Sequence, residues 1–184
     1  MESTDDEDEV LAAMAEQLGS GMLEHVGGPA FAHTLLQPLK RLATVEEASV
    51  RDTAVASMVS VAGHMSPMHV LEHWFPMVME LKGHDYFTAR ISACRLCGVA
   101  LASLPPRERA EESAAFQRLC EDDTPMVRRV AAARLGAFAA EVAKLRGDDD
   151  MDDEGSGGAK GGDGAASSSS GGGGSPPETS PAAA

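Results

Sequence analysis

His69, Glu72 and His73 have the spacing of a zinc-binding helix. They form the pattern HxxEH, which occurs in inverted zinc peptidases. Residues four apart lie on the same face of a helix, so both imidazoles could ligate one ion. Zinc catalysis also requires a third ligand and a packed cleft, and nothing else in the sequence supplies them convincingly. We therefore interpret these side chains as surface histidines and predict no metal, with a zinc hydrolase as the alternative.

Cys94 and Cys97 have the CxxC spacing of a redox pair. In redox proteins this pair lies at the N-terminus of a helix beside a strand, where the thiolate is stabilised. Here Cys97 has the same place in the apolar pattern as Met58 and Leu135 in two other segments. That correspondence favours a small core residue over a redox or metal-binding one. We predict neither a catalytic residue nor a cofactor.

The acidity of the chain belongs to its two ends. The 184 residues carry a formal charge of −14, but residues 10–146 hold 15 acids and 14 bases. That segment lacks the basic surface that attracts nucleic acid. No apolar run approaches the roughly 20 residues that cross a bilayer, and the N-terminus lacks the positive charge of a signal peptide. We expect a cytoplasmic or nuclear protein that binds neither nucleic acid nor membrane.

Apolar residues recur at helical spacing along residues 10–146, and there is little β-branched alternation. This pattern predicts an all-α protein. Glycine and proline divide the pattern into seven helices, since proline is well tolerated in the first turn of a helix. The predicted helices begin near Val10, Pro29, Val50, Pro67, Phe87, the pair Pro105-Pro106, and Pro125; the fifth runs to about Leu101 and the seventh to about Leu145.

The helices repeat in pairs. A leucine precedes an arginine by nine residues three times, with spacings of 39 and 38 residues between successive pairs. Helix pairs that repeat near 40 residues are typical of a HEAT-type α-solenoid, in which stacking of neighbours completes the core. Residues 10–28 fit the second half of an earlier pair, which gives about three and a half repeats. The three full repeats span about 29–65, 66–104 and 105–146.

Three arginines occupy one position early in the second helix of each pair. Arg51, Arg90 and Arg128 could reach carbonyls or acids of the adjacent turn and tie one repeat to the next. We predict that they form a structural ladder. Arg129 departs from the pattern, because Asp52 and Ile91 occupy the equivalent positions. It is therefore the better candidate for contact with a partner.

The two ends differ from this repeating region. Residues 1–9 form an acidic N-terminal segment. Residues 147–184 are rich in glycine, serine, alanine and aspartate, with almost no large apolar side chain. Such a composition cannot bury enough surface to offset the loss of conformational entropy. We therefore predict a disordered C-terminal tail.

Five strings carry a resemblance to a known family over about residues 6–146. The chain resembles the scaffold (65 kDa) subunit of protein phosphatase 2A in the strings DEVLAAMAEQLG, GGPAFAH, LATVEEASVRD, HDYFTARISAC and DDTPMVRR. The resemblance implies a segment of a horseshoe-shaped HEAT scaffold. In that family the turns within each repeat form a ridge. Its N-terminal half receives regulatory (B-type) subunits and its C-terminal half holds the catalytic subunit.

Carried onto this sequence, the ridge predicts a set of partner-binding residues. Large apolar side chains flanked by charge on successive turns suit contact with a protein. The alternative for Phe87 and Met126 is that they cover the core at helix starts. The residues assigned to the ridge are Glu46, Glu47, Asp85, Tyr86, Phe87, Thr124, Pro125 and Met126, together with Arg129.

The resemblance covers only an N-terminal portion, from the second half of the second repeat to about the fifth. It implies a non-catalytic scaffold that binds regulatory subunits but does not hold the catalytic subunit directly. A truncated HEAT adaptor for another protein, or a competitor for regulatory subunits, is the alternative. We expect a fragment, a truncated paralogue or an incomplete gene model.

Overall fold

Nine α-helices make up most of residues 2–152, the part of the chain that the computed structural model describes. Side chains are described over residues 6–145. Two 3₁₀ segments, Pro29–Leu35 and Leu101–Ser103, and a π-helical turn, Val70–Trp74, accompany them. The helices are α1 (Glu2–Ser20), α2 (Met22–His25), α3 (Leu36–Leu42), α4 (Ala48–Ala62), α5 (Pro67–His69), α6 (Phe75–Lys82), α7 (Phe87–Leu96), α8 (Pro106–Cys120) and α9 (Pro125–Asp152).

The helices pack as antiparallel pairs stacked in two layers. Within pairs, α3 packs on α4, α6 on α7 and α8 on α9. One layer is continuous through α1, α4, α7 and α9, each of which contacts the next. In the other layer, α6 contacts α8. This arrangement is the all-α HEAT solenoid that the sequence period predicts.

Large residues from the first helix of each pair meet small ones from the second. Leu42, Leu81 and Leu119 are buried on the first helices. Ala54 and Ala93, together with their equivalent Ala131, are fully buried on the second helices. The small alanine side chain lets two helix backbones approach closely, and the leucines of the facing helix fill the remaining space between the layers. The predicted core positions are confirmed at these sites.

The π-helical turn lies where proline interrupts a long helix. Residues 67–82 form one continuous rod of α5, the π turn Val70–Trp74 and α6. Pro76 has no N–H to donate to the preceding turn, and its ring would clash with a regular α-helix. Widening the turn just before Pro76 accommodates that ring while keeping the rod intact. Trp74, in the same turn, is fully buried and anchors it to the core.

Several helix ends differ from those predicted. α1 begins at Glu2 rather than Val10, because acidic residues favour the N-terminal end of a helix. α7 ends at Leu96 rather than near Leu101, because Gly98 adopts a φ of 87° that helices do not contain. α9 continues to Asp152, through a run of good helix formers up to Arg146.

The predicted tail is described only in part. Residues 147–152 belong to the last turns of α9, and residues 153–184 lie outside the described part of the chain. Leu135, predicted at a core position, is 51% exposed. It lies on a face of α9 that no other described helix covers. None of the described helices combines the length and apolar character needed to cross a membrane.

Candidate partner-binding face

The turns within the three helix pairs lie along one edge of the solenoid. We call this edge the turn face and define it by residues 43–47, 83–87 and 121–126, together with Arg129. Thr88, just after the second turn, donates from Oγ1 to the Thr44 carbonyl at 2.9 Å. Arg90 in turn reaches Asp122 of the third turn. These contacts place successive turns side by side.

The second turn presents two aromatic side chains to solvent. Tyr86 is 70% exposed and Phe87 is 43% exposed. The Tyr86 amide donates to Nδ1 of His84 at 3.1 Å, and the two rings lie 5.4 Å apart. Asp85 is also exposed beside them. The backbone of this turn is therefore held in place while its apolar side chains remain available.

The third turn presents a second apolar group. Pro125 is exposed and Met126 is 53% exposed. Arg129 is exposed and forms no ion pair or side-chain hydrogen bond with another described residue. Met126, like Phe87, leaves too much surface in water to be a core residue. The exposure favours the partner-contact interpretation of both residues over the helix-start one.

The first turn is acidic and partly committed to its own helix. Glu46 and Glu47 are both exposed. Oε1 of Glu47 accepts hydrogen bonds from the amide and the hydroxyl of Ser49, each at 3.2 Å, and so caps α4. Glu46 accepts from Arg51 through its backbone carbonyl only. Its carboxylate is the freer of the two for contact with a partner.

The three predicted ladder arginines share one local role. Each donates from Nη1 to the carbonyls five and six residues before it, at distances between 2.6 and 3.0 Å. In this way Arg51, Arg90 and Arg128 each clamp the turn of their own repeat. Only Arg90 also reaches the following repeat, so the predicted link between repeats has a single rung among the described residues.

That rung joins Arg90 to Asp122 and Thr124. Nε and Nη2 of Arg90 donate to the two carboxylate oxygens at 2.7 and 3.1 Å, and Nη2 also donates to Oγ1 of Thr124 at 3.0 Å. Partial burial acts to raise the pKa of Asp122, but hydrogen bonds from Arg90 and the Thr124 amide lower it overall. Thr124, predicted to contact a partner, has its hydroxyl engaged in this structural network.

Sequence reasoning missed Asp122, although the repeat contained a signal for it. The position six residues before each ladder arginine is Val45, His84 and then Asp122. Asp122 is the only acid among them, so only Arg90 finds a carboxylate in the repeat that follows. Arg51 has no such partner, and its buried Nε makes no hydrogen bond. Comparing this position across repeats would have predicted one rung.

The hydroxyls of Thr88 and Ser92 add a second, uncharged link that the sequence did not suggest. Ser92 is fully buried and donates from Oγ to the Ala43 carbonyl at 2.6 Å. Thr88 binds the adjacent Thr44 carbonyl. These two bonds satisfy the carbonyls that α3 leaves free at its C-terminal end. They join α7 to the preceding repeat.

The two histidines of the HxxEH pattern pack against a third histidine, His33. The ring of His73 stacks on His33 of the preceding repeat, with centroids 4.3 Å apart and an interplanar angle of 11°. The His69 and His73 centroids are 5.8 Å apart. Over residues 6–145, no group of three histidine, cysteine or acidic side chains is arranged to hold a metal.

The CxxC thiols lie at the C-terminal end of α7, not at its start. Both Cys94 and Cys97 are buried. Burial raises the pKa of Cys94 to about 12 and also raises the pKa of Cys97 well above its usual value. Because the thiolate is the reactive form, these environments suit core residues rather than a redox pair.

Comparison with known proteins supplies relatives for most of the described region. No protein-family model matches the chain. A probable serine/threonine-protein phosphatase PP2A regulatory subunit of Caenorhabditis elegans is 51% identical over 134 residues, which is 73% of this chain and 22% of the relative. The beta isoform of the rat phosphatase 2A 65 kDa regulatory subunit has the same identity and coverage. The Arabidopsis thaliana alpha isoform is 46% identical over 141 residues, 77% of this chain and 24% of the relative.

The stacked antiparallel helix pairs and the sequence repeat of 38 to 39 residues together define a segment of a HEAT-repeat α-solenoid. Over the matched residues the chain is homologous to the 65 kDa regulatory subunits of serine/threonine-protein phosphatase 2A, as its sequence resemblance predicted. The chain spans between a fifth and a quarter of the length of these relatives. All three relatives are named as regulatory rather than catalytic subunits.

Proposed function

We propose that this chain is a non-catalytic scaffold segment that binds a regulatory (B-type) subunit of protein phosphatase 2A through the turn face. The observation that carries the proposal is the exposure of large apolar side chains on two adjacent turns. Tyr86 and Phe87 form one group, and Pro125 and Met126 form the other. Aromatic and methionine side chains are enriched at protein interfaces.

The frame behind these side chains favours binding. Arg90 clamps the second turn and is bonded to Asp122 and Thr124 of the third. The two apolar groups are therefore held at a fixed separation before a partner arrives. A surface that is already ordered loses less conformational entropy on association, so more of its contact energy appears as affinity.

The first two turns of the turn face are acidic, whereas the third carries charges of both signs. Glu46 and Glu47 lie on the first turn and Asp85 lies on the second. The third turn has the exposed acids Glu121 and Asp123 beside Arg129. A partner with basic groups facing the first two turns would be favoured. Complementary charge of this kind contributes more to orientation and association rate than to affinity.

Recovery of partners from a cell lysate tests the proposal. The full chain, immobilised through a tag, should retain regulatory subunits of phosphatase 2A but not the catalytic subunit. The matched control is the Tyr86→Ala/Met126→Ala variant, which should retain markedly less. Recovery of neither kind of subunit, or recovery of the catalytic subunit without any regulatory one, would contradict the proposal.

A further inference from the structure

Three histidines meet at the junction between two successive repeats. His33 lies in the 3₁₀ segment Pro29–Leu35 of one repeat, while His69 and His73 lie in α5 and the π turn of the next. The His33 ring centroid lies 4.5 Å from that of His69 and 4.3 Å from that of His73. The triple-histidine cluster, as we call these side chains, therefore bridges the first helices of two repeats.

The geometry of the cluster suits uncharged imidazoles. The rings of His33 and His73 are nearly parallel and in stacking contact. Nδ1 of His33 and Nδ1 of His69 are buried and have no hydrogen-bond partner. Burial is the largest cause that lowers the pKa of His33, followed by its neighbours His73 and His69, while a hydrogen bond with the Ala30 backbone acts to raise it.

One carboxylate faces the cluster directly. Oε2 of Glu72 lies 4.0 Å from Nε2 of His73, and its charge acts to raise the pKa of His33. The nearby Glu80 is already paired with Lys40, with a separation of 2.8 Å. Glu72 can therefore offset a single added proton, but not two or three. Like charges this close repel strongly even where solvent screens them partly.

Charged groups on the other elements packed against His33 are engaged elsewhere or exposed. In α2, Nδ1 of His25 lies 3.0 Å from the Gly21 carbonyl, and Glu24 is exposed. In α4, Arg51 donates to the carbonyls of its own turn, and Asp52 pairs with Arg95. The protonation of His33 is therefore governed by its burial, the other two histidines, the Ala30 backbone and Glu72.

We propose that the triple-histidine cluster is a pH-sensitive joint between the two repeats, packed when its imidazoles are neutral and loosened when they are protonated. Its position supports this role, because the three rings link the segment Pro29–Leu35 to α5 and the π turn Val70–Trp74, so repulsion between them acts across the junction of the two repeats. Single π turns inside α-helices are rare and frequently lie at functional sites.

The direction of the effect follows from proton linkage. The pKa of His33 in the folded chain lies below its ordinary value of 6.5. The unfolded or opened form therefore binds the proton more tightly. The stabilisation that neutral His33 contributes is fully present above about pH 6.5 and is lost as pH falls from there through the lowered pKa of the folded form.

Amide hydrogen exchange of the full chain tests the joint. Protection factors are measured at pH 7.5 and 5.5 for amides of Val70–Trp74, with amides of α8 as the internal reference. Relative to that reference, the wild-type π turn should lose protection by more than about threefold on acidification, because the opened form binds protons more tightly. His64→Gln, at an exposed histidine outside the cluster, should lose the same amount.

Variants within the cluster separate protonation from general acid sensitivity. His33→Gln and His73→Gln should each lose protection less than about twofold over the same range, since one or more like charges are removed. The His73 side chain is 41% exposed, so its replacement tests the proposal even if His33→Gln does not fold. A wild-type chain without selective loss, or a His73→Gln chain with the wild-type loss, would overturn the proposal.

Discussion

Arg90 binds Asp122 through two parallel hydrogen bonds that cross from one HEAT repeat to the next. Its Nε and Nη2 atoms lie 2.7 and 3.1 Å from the two carboxylate oxygens. The same guanidinium holds the carbonyls of His84 and Asp85 at 2.8 Å. One side chain therefore fixes the shape of the second turn and its distance from the third.

Replacing Asp122 by asparagine should destabilise the chain by about 1–2 kcal/mol, because the partly buried Arg90 loses its anionic partner. Urea denaturation at pH 7 measures the difference in free energy of unfolding. The pKa of Asp122 is lowered in the folded state. Its contribution is therefore present at neutral pH and is lost as pH falls through the range below its ordinary value of 3.8.

Asp123→Asn is the matched control for this prediction. Asp123 is exposed, and its contact with Arg128 uses the backbone carbonyl, which the substitution keeps. It should change the free energy of unfolding by less than about 0.5 kcal/mol. Equal losses in the two variants would show that the inter-repeat pair contributes no more than an ordinary surface charge.

His84→Asp should add a second rung to the ladder. His84 occupies the same repeat position as Asp122 and accepts a hydrogen bond from the amide two residues later, as Asp122 does. An aspartate there would offer a carboxylate to the unpartnered Nε of Arg51. We expect stabilisation of about 1 kcal/mol, measured by urea denaturation at pH 7.

His84→Asn separates the two effects of that substitution. Asparagine retains an acceptor for the Tyr86 amide but carries no charge. The aspartate variant should therefore be the more stable of the two, and the difference should shrink when Arg51 is replaced by lysine. If both variants have the same stability, no rung has formed.

Gly98→Ala should cost about 1–3 kcal/mol. Gly98 has a φ of 87°, and an added Cβ would lie 3.0 Å from Cδ2 of the buried Phe138. Its amide also donates to Oε1 of Glu112 at 2.7 Å, so the turn has little freedom to relax.

Gly136→Ala is the control. That position is helical with open space around it, and stabilisation of up to about 1 kcal/mol is expected. Thermal and urea unfolding compare the two; a neutral Gly98→Ala would contradict this account of the turn.

Glu112→Gln should flatten the dependence of stability on pH. Glu112 is fully buried, and burial raises the pKa of its carboxyl, while the hydrogen bond from Gly98 acts in the opposite direction. At a pH between the ordinary pKa of a glutamate and this raised pKa, the folded form thus holds a proton that the unfolded form has released. The stabilisation is present below about pH 4.5 and is lost as pH rises through the raised pKa.

Urea denaturation between pH 4 and 8 measures this effect. The wild-type chain should lose stability relative to Glu112→Gln as pH rises, and the exposed neighbour Glu111 provides the control variant Glu111→Gln. Parallel pH profiles for wild type and Glu112→Gln would mean that the carboxyl is not protonated preferentially in the folded chain.

The repeat period was enough to predict the fold and its core, because each repeat applies the same packing rule to successive residues. Leu42, Leu81 and Leu119 are buried for that reason. Helix ends were less predictable. The break at Gly98 depends on a left-handed backbone and on contact with Glu112, which lies 14 residues away. The helix propensities of the neighbouring residues predict neither the left-handed backbone nor the contact with Glu112.

The candidate site was only partly predictable for a related reason. The family resemblance assigned Tyr86 and Met126 to the ridge, and both side chains are exposed. The engagement of Thr124 by Arg90 depends on Asp122, a residue present in one repeat alone. Periodic reasoning finds what repeats have in common and overlooks such single differences. The triple-histidine cluster is another case, since His33 and His73 meet only through stacking.

The affinity of the full chain for a purified phosphatase 2A regulatory (B-type) subunit tests the central claim most directly. Calorimetry should show that Tyr86→Ala/Met126→Ala weakens binding at least about tenfold, because both side chains supply exposed apolar contact area. Met68→Ala is the control, since Met68 is 60% exposed but lies at the start of α5, away from the turn face. Its affinity should stay within about twofold of wild type. Unchanged binding by the double variant, or an equal loss in Met68→Ala, would contradict the assignment of the turn face as the binding surface.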